Sequence, residues 1–468
     1  MIKTLRHRWP QVGLPLFLVL VFLMGGGSRA ETASLLILRP LSVLALAYAL
    51  ATLPREAWRD NKVLLALALG CAGLTALHLV PLPPAVWQAL PGRGLAASID
   101  EAAGLDGMWR PLSLVPWRTL NALFALAAPL AVLLLALRLP REGWRRVVFL
   151  LLALVVASAV LGLLQIIGGA GNPFYTYRIT NPGSGVGLFA NRNHNAVFLS
   201  LGLPLIAATL SLWTAKAEHV RLREWAGAGA GVLLIPFILT TQSRAGILIA
   251  VLSAGLAWWT YRSPAPLAQK RRPRRAIDPR IVFGVIAGAG LAALTVLFTA
   301  TNAVERLGRL GQEDDELRWQ IWPPIWQLTL DYLPWGSGIG TFVEVYQTRE
   351  PAGLLQPSYI NHAHNDWLEV LLTGGLPAAA LMLGGVAWLG LRGWRHLRRG
   401  ERQVDAVLRR LGASICLILA LASVYDYPLR TPAMAALFTL GAAMLAGRFH
   451  ADARSADAAT GPDSVVGR

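Results

Sequence analysis

Apolar runs of about 16 to 25 residues recur along nearly the whole chain, and each is long enough to cross a hydrocarbon core about 30 Å thick as a helix. Backbone groups in lipid must bond within their own segment, so repeated runs of this length mean helices. A membrane barrel would show short alternating segments instead. Of the 468 residues, 55% are hydrophobic and 15% charged, against about 25% charged in soluble domains. The length would otherwise accommodate about three soluble domains.

The runs predict an all-α, polytopic transmembrane bundle of about twelve helices. Their ranges are 11–27, 33–53, 63–80, 118–138, 146–168, 195–214, 225–241, 245–261, 281–300, 366–391, 411–424 and 431–447. The net charge of +17 does not point to nucleic acid. Most Lys and Arg fall in short loops on one side, chiefly 262–280 and 392–410. By the positive-inside rule that side is cytoplasmic, with both termini there. The first span, preceded by Lys3, Arg6 and Arg8 and followed by Gly25-Gly26-Gly27, also has the outline of a signal peptide. An uncleaved helix fits the even helix count.

Residues 1–447 are therefore expected to form a single membrane domain, followed by a small, polar, disordered tail over 448–468. Two long periplasmic loops are expected. Residues 81–117 carry Pro81, Pro83, Pro84, Pro91 and Pro111 and read as a loop with short turns. Residues 301–362, between the ninth and tenth spans, form the largest extramembrane piece. Trp319, Trp322, Trp326 and Trp335 there suit a membrane interface. The run Glu313-Asp314-Asp315-Glu316 reads as solvated charge rather than a cation site, because no ligand pattern accompanies it. Cys71 and Cys416 sit in apolar runs and read as buried thiols. The chain has no internal repeat of fixed period.

Four even-numbered spans begin beside polar clusters: Asn191-Arg192-Asn193-His194, Gln242-Ser243-Arg244, Asn361-His362-Ala363-His364-Asn365-Asp366, and Tyr425-Asp426-Tyr427-Pro428-Leu429-Arg430. All four would point their N-termini at the periplasm. Free N–H groups and the helix dipole favour anions there, and arginine adds a fork suited to phosphate. Arg192, Arg244 and Arg430 thus outline an anion-binding cluster, against the plainer reading of interfacial arginines and caps. His362 and His364 admit three readings: a metal half-site completed by Asp366 and Glu369, a general base, or a capped helix start at Asn365 or Asp366. Glu369, one turn inside the span, is a functional candidate because a carboxylate at that depth is costly.

His364-Asn365-Asp366-Trp367-Leu368-Glu369 followed by Gly374-Gly375-Leu376-Pro377 resembles the signature of the O-antigen ligase and polymerase superfamily. Arg318 with Trp322 and Trp326, then Pro334-Trp335-Gly336-Ser337-Gly338-Ile339-Gly340-Thr341-Phe342, is similar to a further family element. So are Ser243-Arg244-Ala245-Gly246, and Gly187-Leu188-Phe189 with Asn191 and Asn193. The ordered set covers residues 185–430. The resemblance implies a bacterial inner-membrane glycosyltransferase that needs no metal or other cofactor. Its donor would be an undecaprenyl-diphosphate-linked glycan, and its acceptor a sugar hydroxyl on a glycan or on lipid A-core. It implies His364 as the catalytic residue and Arg192 and Arg244 as ligands of the donor diphosphate. His362, Asn365, Asp366, Glu369, Arg318, Arg430, Asn191 and Asn193 would support them. The Leu82–Gly92 loop and the Tyr427–Arg430 element lie nearer polymerase members, so repeat-unit polymerisation is expected ahead of ligation. A transporter would carry polar groups at mid-span, where this chain has few.

Overall fold

The structure, a computed structural model, describes residues 2–169, 171–213, 220–263, 303–355, 359–397, 403–447 and 449. The expected span 281–300, most of the basic loop 262–280, the centre of the loop 392–410 and the tail lie outside the described residues. What is described is almost entirely helical. The helices are α1 (Ile2–Met24), α2 (Leu35–Thr52), α3 (Arg55–Asp60), α4 (Lys62–Leu77), α5 (Pro84–Gln88), α6 (Gly94–Ala102), α7 (Pro116–Ala125), α8 (Ala127–Ala136) and α9 (Arg141–Ile167). They continue with α10 (Arg192–Leu212), α11 (Val220–Thr240), α12 (Arg244–Thr260), α13 (Ala303–Tyr332), α14 (Phe342–Gln347), α15 (Asp366–Leu397), α16 (Gln403–Tyr425) and α17 (Pro432–Ala446). Among the described residues, six segments are long and apolar enough to cross a membrane: α2, α7 with α8, α9, α10, α15 and α16. Shorter apolar helices occupy Gln11–Met24, Lys62–Leu77, Arg244–Thr260 and Pro432–Ala446.

Helix α10 is the hub. It is apolar on every side because it is surrounded by α9, α11, α12 and α16, and nearly all of its residues are buried. Helix α1 joins the same core through Leu14, Leu18, Val21 and Phe22. Helix α2 is peripheral. Leu35, Leu38, Ser42 and Ala49 face inward at helical spacing, while Leu36, Ile37 and Leu44 are exposed. That is the pattern of a helix whose far side meets lipid.

The expected span 118–138 corresponds to one segment long and apolar enough to cross a membrane, Pro116–Ala136, with a break at Leu126 between α7 and α8. Pro129 explains the break, because it cannot donate to the carbonyl of Ala125 and its ring crowds that group. Cys71 is exposed on α4, whereas Cys416 is buried as expected. Much of 301–362 proves to be ordered helix. In α13, Ile321, Ile325, Leu328 and Tyr332 pack against Phe342, Val345, Tyr346 and Leu372, and Trp319 and Trp326 remain exposed.

The glycine-rich segment after α13 locks into a break in α15. At Gly375 the backbone has φ 62° and ψ −158°, a conformation suited to glycine. The interrupted helix leaves carbonyls without helical donors, and the segment supplies them. Ser337 N donates to Leu372 O at 3.1 Å, Gly338 N to Thr373 O at 2.9 Å, and Leu376 N returns a bond to Pro334 O at 2.8 Å. A Cβ on Gly375 would sit 2.2 Å from Pro334 O. Residues 78–119 clamp the same segment. Arg93 Nη2 donates to Leu112 O at 2.6 Å and to Gly336 O at 3.4 Å, and Ile339 N donates to His78 Nδ1 at 3.1 Å.

Candidate functional site

The starts of α10, α12, α15 and α17 meet at one end of the bundle. Each of the four is capped by a local polar side chain, as orphan N–H groups require. Asn191 Oδ1 accepts from Asn193 N at 2.8 Å, and Ser243 Oγ accepts from Gly246 N at 3.0 Å. Asn365 Oδ1 accepts from Leu368 N at 3.0 Å, and Thr431 Oγ1 from Met434 N at 3.3 Å. Asn365, not Asp366, is therefore the cap of α15.

Asp366 instead faces the next strand of chain. Its Oδ1 accepts from Arg430 Nε at 2.8 Å, and its Oδ2 from Ser423 Oγ at 3.0 Å. Glu369 is also buried. It lies 3.1 Å from His362 Nδ1, accepts from Ala363 N at 3.0 Å and stands 3.5 Å from Arg430 Nη2. Arg430 is thus held between two carboxylates. The pair Asp366 and Glu369 fixes the loop that carries His364.

His364 adopts φ 49°. A left-handed conformation is unusual for a residue other than glycine, and such strain gathers at functional positions. Its Nδ1 lies 3.4 Å from Asp426 Oδ1, so Nε2 is the nitrogen turned from the carboxylate. Asp426 is 4% exposed. Burial alone would raise its carboxyl, but His364, His194 and Arg318 outweigh burial and hold it well below the usual carboxylate range. His194 Nε2 is 4.0 Å from the other Asp426 oxygen. The rings of His194, His362 and His364 surround Tyr427, with centroids 5.1, 4.4 and 4.8 Å away. Asn191 Nδ2 donates to the Tyr427 hydroxyl at 3.3 Å.

Asp426, Tyr427 and His194 were absent from the residues assigned roles by sequence. Their signal was present, since Asp426 is an acidic residue set between tyrosines at the edge of an apolar run. Trp322 is a further support, its Nε1 donating to Ala363 O at 2.9 Å. Of the two expected diphosphate ligands, Arg192 opens α10, with its backbone N donating to Asn181 Oδ1 at 3.0 Å. Arg244 opens α12 and is exposed. The two helix starts touch, because a Cβ on Gly246 would meet that of Ala196 at 2.4 Å. Among the described residues, no group of three or more His, Cys, Asp and Glu side chains is placed to hold a metal ion.

Apolar helices in this number, gathered around a polar site at one end, define a multi-pass membrane protein. A family model described as O-antigen ligase matches residues 229–383. The match covers less than half of the chain, and over that stretch it agrees with the resemblance to the O-antigen ligase and polymerase superfamily. It covers Arg244, Arg318 and the whole segment from His362 to Glu369; Arg192, Asp426 and Arg430 lie outside it. No curated protein matches the chain.

Proposed function

We propose that the protein transfers a glycan from an undecaprenyl-diphosphate carrier to a sugar hydroxyl at the periplasmic face of the bacterial inner membrane. The observation that carries this reading is His364, with Nδ1 against buried Asp426 at the end where four helix N-termini meet. The Asp426 carboxylate beside Nδ1 favours the tautomer with the proton on Nδ1, which leaves Nε2 free to accept one. Nε2 takes the acceptor hydroxyl proton as that oxygen attacks the anomeric carbon. The bond from the anomeric carbon to the phosphate oxygen breaks, and the carrier diphosphate departs with the electron pair. Arg192 and Arg244, with the N-termini of α10 and α12, stabilise the charge that develops on it. The proton on His364 then passes to solvent or to the diphosphate.

Within this chemistry we assign the acceptor to a growing lipid-linked chain, so that the protein polymerises O-antigen or exopolysaccharide repeat units. The experiment is the glycan ladder of a deletion strain complemented with wild type or His364→Ala. Wild type restores long chains, and His364→Ala inserts normally but leaves single repeats. Long chains from His364→Ala refute the catalytic role. Intact chains stranded on the carrier in the deletion strain identify a ligase instead. Movement of lipid-linked sugar across the membrane without a glycosidic product identifies a transporter.

A further inference from the structure

A cavity of about 220 Å³ opens beside the site, on the flank formed by α2, α7, α8 and α17. Its polar end is bounded by His362, Glu369 and Arg430, and by Arg29 and Arg118. Its apolar walls include Leu35, Leu38, Phe124, Pro129 and Ala435. Arg39 projects into it from the second turn of α2.

The four arginines are not equivalent. Arg29 stands 3.7 Å from Glu31, Arg118 Nε donates to Glu344 Oε1 at 2.5 Å, and Arg430 is held by Asp366 and Glu369. Arg39 Nε is buried and finds no hydrogen-bond partner among the described residues. An arginine inside an apolar helix is disfavoured by lipid, and such residues mark sites where a partner arrives. A guanidinium in an apolar setting binds phosphate strongly and through two N–H groups. The volume is below the roughly 300–1,000 Å³ of pockets that enclose a drug-sized ligand, so it suits a headgroup rather than a whole glycolipid. Helix α2 exposes Leu36, Ile37 and Leu44 on its far side, which leaves Arg39 one helix from the bilayer.

We propose that this cavity seats the acceptor, and that the acceptor is a membrane-anchored glycolipid whose phosphate headgroup pairs with Arg39. The inference rests on the transfer reaction above and places the second substrate opposite the donor ligands Arg192 and Arg244. His362, Glu369 and Arg430 form the wall shared by the cavity and the loop that carries His364. A phosphate held at Arg39 brings the sugar attached to it towards that histidine.

The test uses the full-length protein in phosphatidylcholine nanodiscs, with farnesyl diphosphate as the lipid-phosphate probe and inorganic diphosphate as the free anion. Wild type is expected to bind two equivalents of farnesyl diphosphate, and Arg39→Gln and Arg244→Gln one each. Arg39→Lys, which keeps the charge, retains two. In the transfer assay Arg39→Gln raises the acceptor KM at least about tenfold, the loss expected for one charge-assisted contact, with the donor KM unchanged. Two equivalents bound by Arg39→Gln overturn the proposal. So does loss of both equivalents in Arg39→Gln and Arg39→Lys together, which would make Arg39 a residue of the fold. Displacement of the Arg39-dependent equivalent by inorganic diphosphate as readily as by farnesyl diphosphate overturns the lipid assignment. If Arg244→Gln keeps two equivalents while Arg39→Gln keeps one, the donor placement fails and this inference stands.

Discussion

Replacing Arg430 by Met keeps an unbranched apolar stem and removes the guanidinium and its charge. Asp366 is 6% exposed and Glu369 2%, so both carboxylates would face the loss without full solvent. Removing one partner of a buried ion pair costs about 3–5 kcal/mol, because the remaining charge is left uncompensated. The local partners place this case near the lower bound. Glu369 keeps His362 Nδ1 at 3.1 Å and Ala363 N at 3.0 Å. Asp366 keeps Ser423 Oγ at 3.0 Å and Leu429 N at 3.4 Å, but loses the cation at 2.8 Å. The expected destabilisation is about 3 kcal/mol, most of it at Asp366. Arg430→Met combined with Asp366→Asn removes the stranded charge and should recover roughly 1–2 kcal/mol, within the range found for coupled neighbours. Equilibrium unfolding of wild type, Arg430→Met, Asp366→Asn and the double variant in detergent micelles measures the cycle. An Arg430→Met protein within about 0.5 kcal/mol of wild type, the range of an ordinary surface substitution, refutes the claim that Arg430 holds the two carboxylates in place.

Gly375→Ala forces a side chain into a conformation of φ 62° and places Cβ 2.2 Å from Pro334 O. A destabilisation of at least about 1–3 kcal/mol is expected in the same unfolding assay, and a neutral result would show that the joint with Pro334 is not a structural lock. Asp426→Asn removes the carboxylate that faces His364 Nδ1 at 3.4 Å and should lower kcat by about 10²–10⁴-fold with little change in donor KM, as read from transfer kinetics. The same variant checks a pH effect. The folded Asp426 carboxyl is held below its usual value, so the unfolded chain takes up the proton first on acidification. Its contribution to stability is complete above about pH 4 and is lost as pH falls further. Asp426→Asn should flatten that part of the stability curve, and an unchanged acid limb would refute the assignment.

The parts of the fold legible in sequence share one physical cause. In lipid, a polar group is least costly where a helix starts, because the free N–H groups and the interface lie there. Asn191, Ser243, Asn365 and Thr431 therefore mark both the start of a helix and the edge of an apolar run. The four polar ends could be listed from the chain alone, and the structure brings them to one end of the bundle. Their partners could not be listed. Asp426 reaches His364 across 62 residues of chain, and neither residue's neighbours in sequence name the other. Arg430 carries no sign that it faces Asp366 and Glu369 rather than a ligand. The glycine-rich segment 334–342 and the Gly374-Gly375-Leu376-Pro377 turn were read as separate family elements. They are one joint, in which the backbone of the first satisfies the carbonyls that the second exposes. Backbone exchange of that kind has no side-chain signature beyond the glycines that permit it. Arg39 shows the reverse case. It was visible as a charge inside an apolar run, but only the cavity at its tip turns a costly residue into a place for a phosphate.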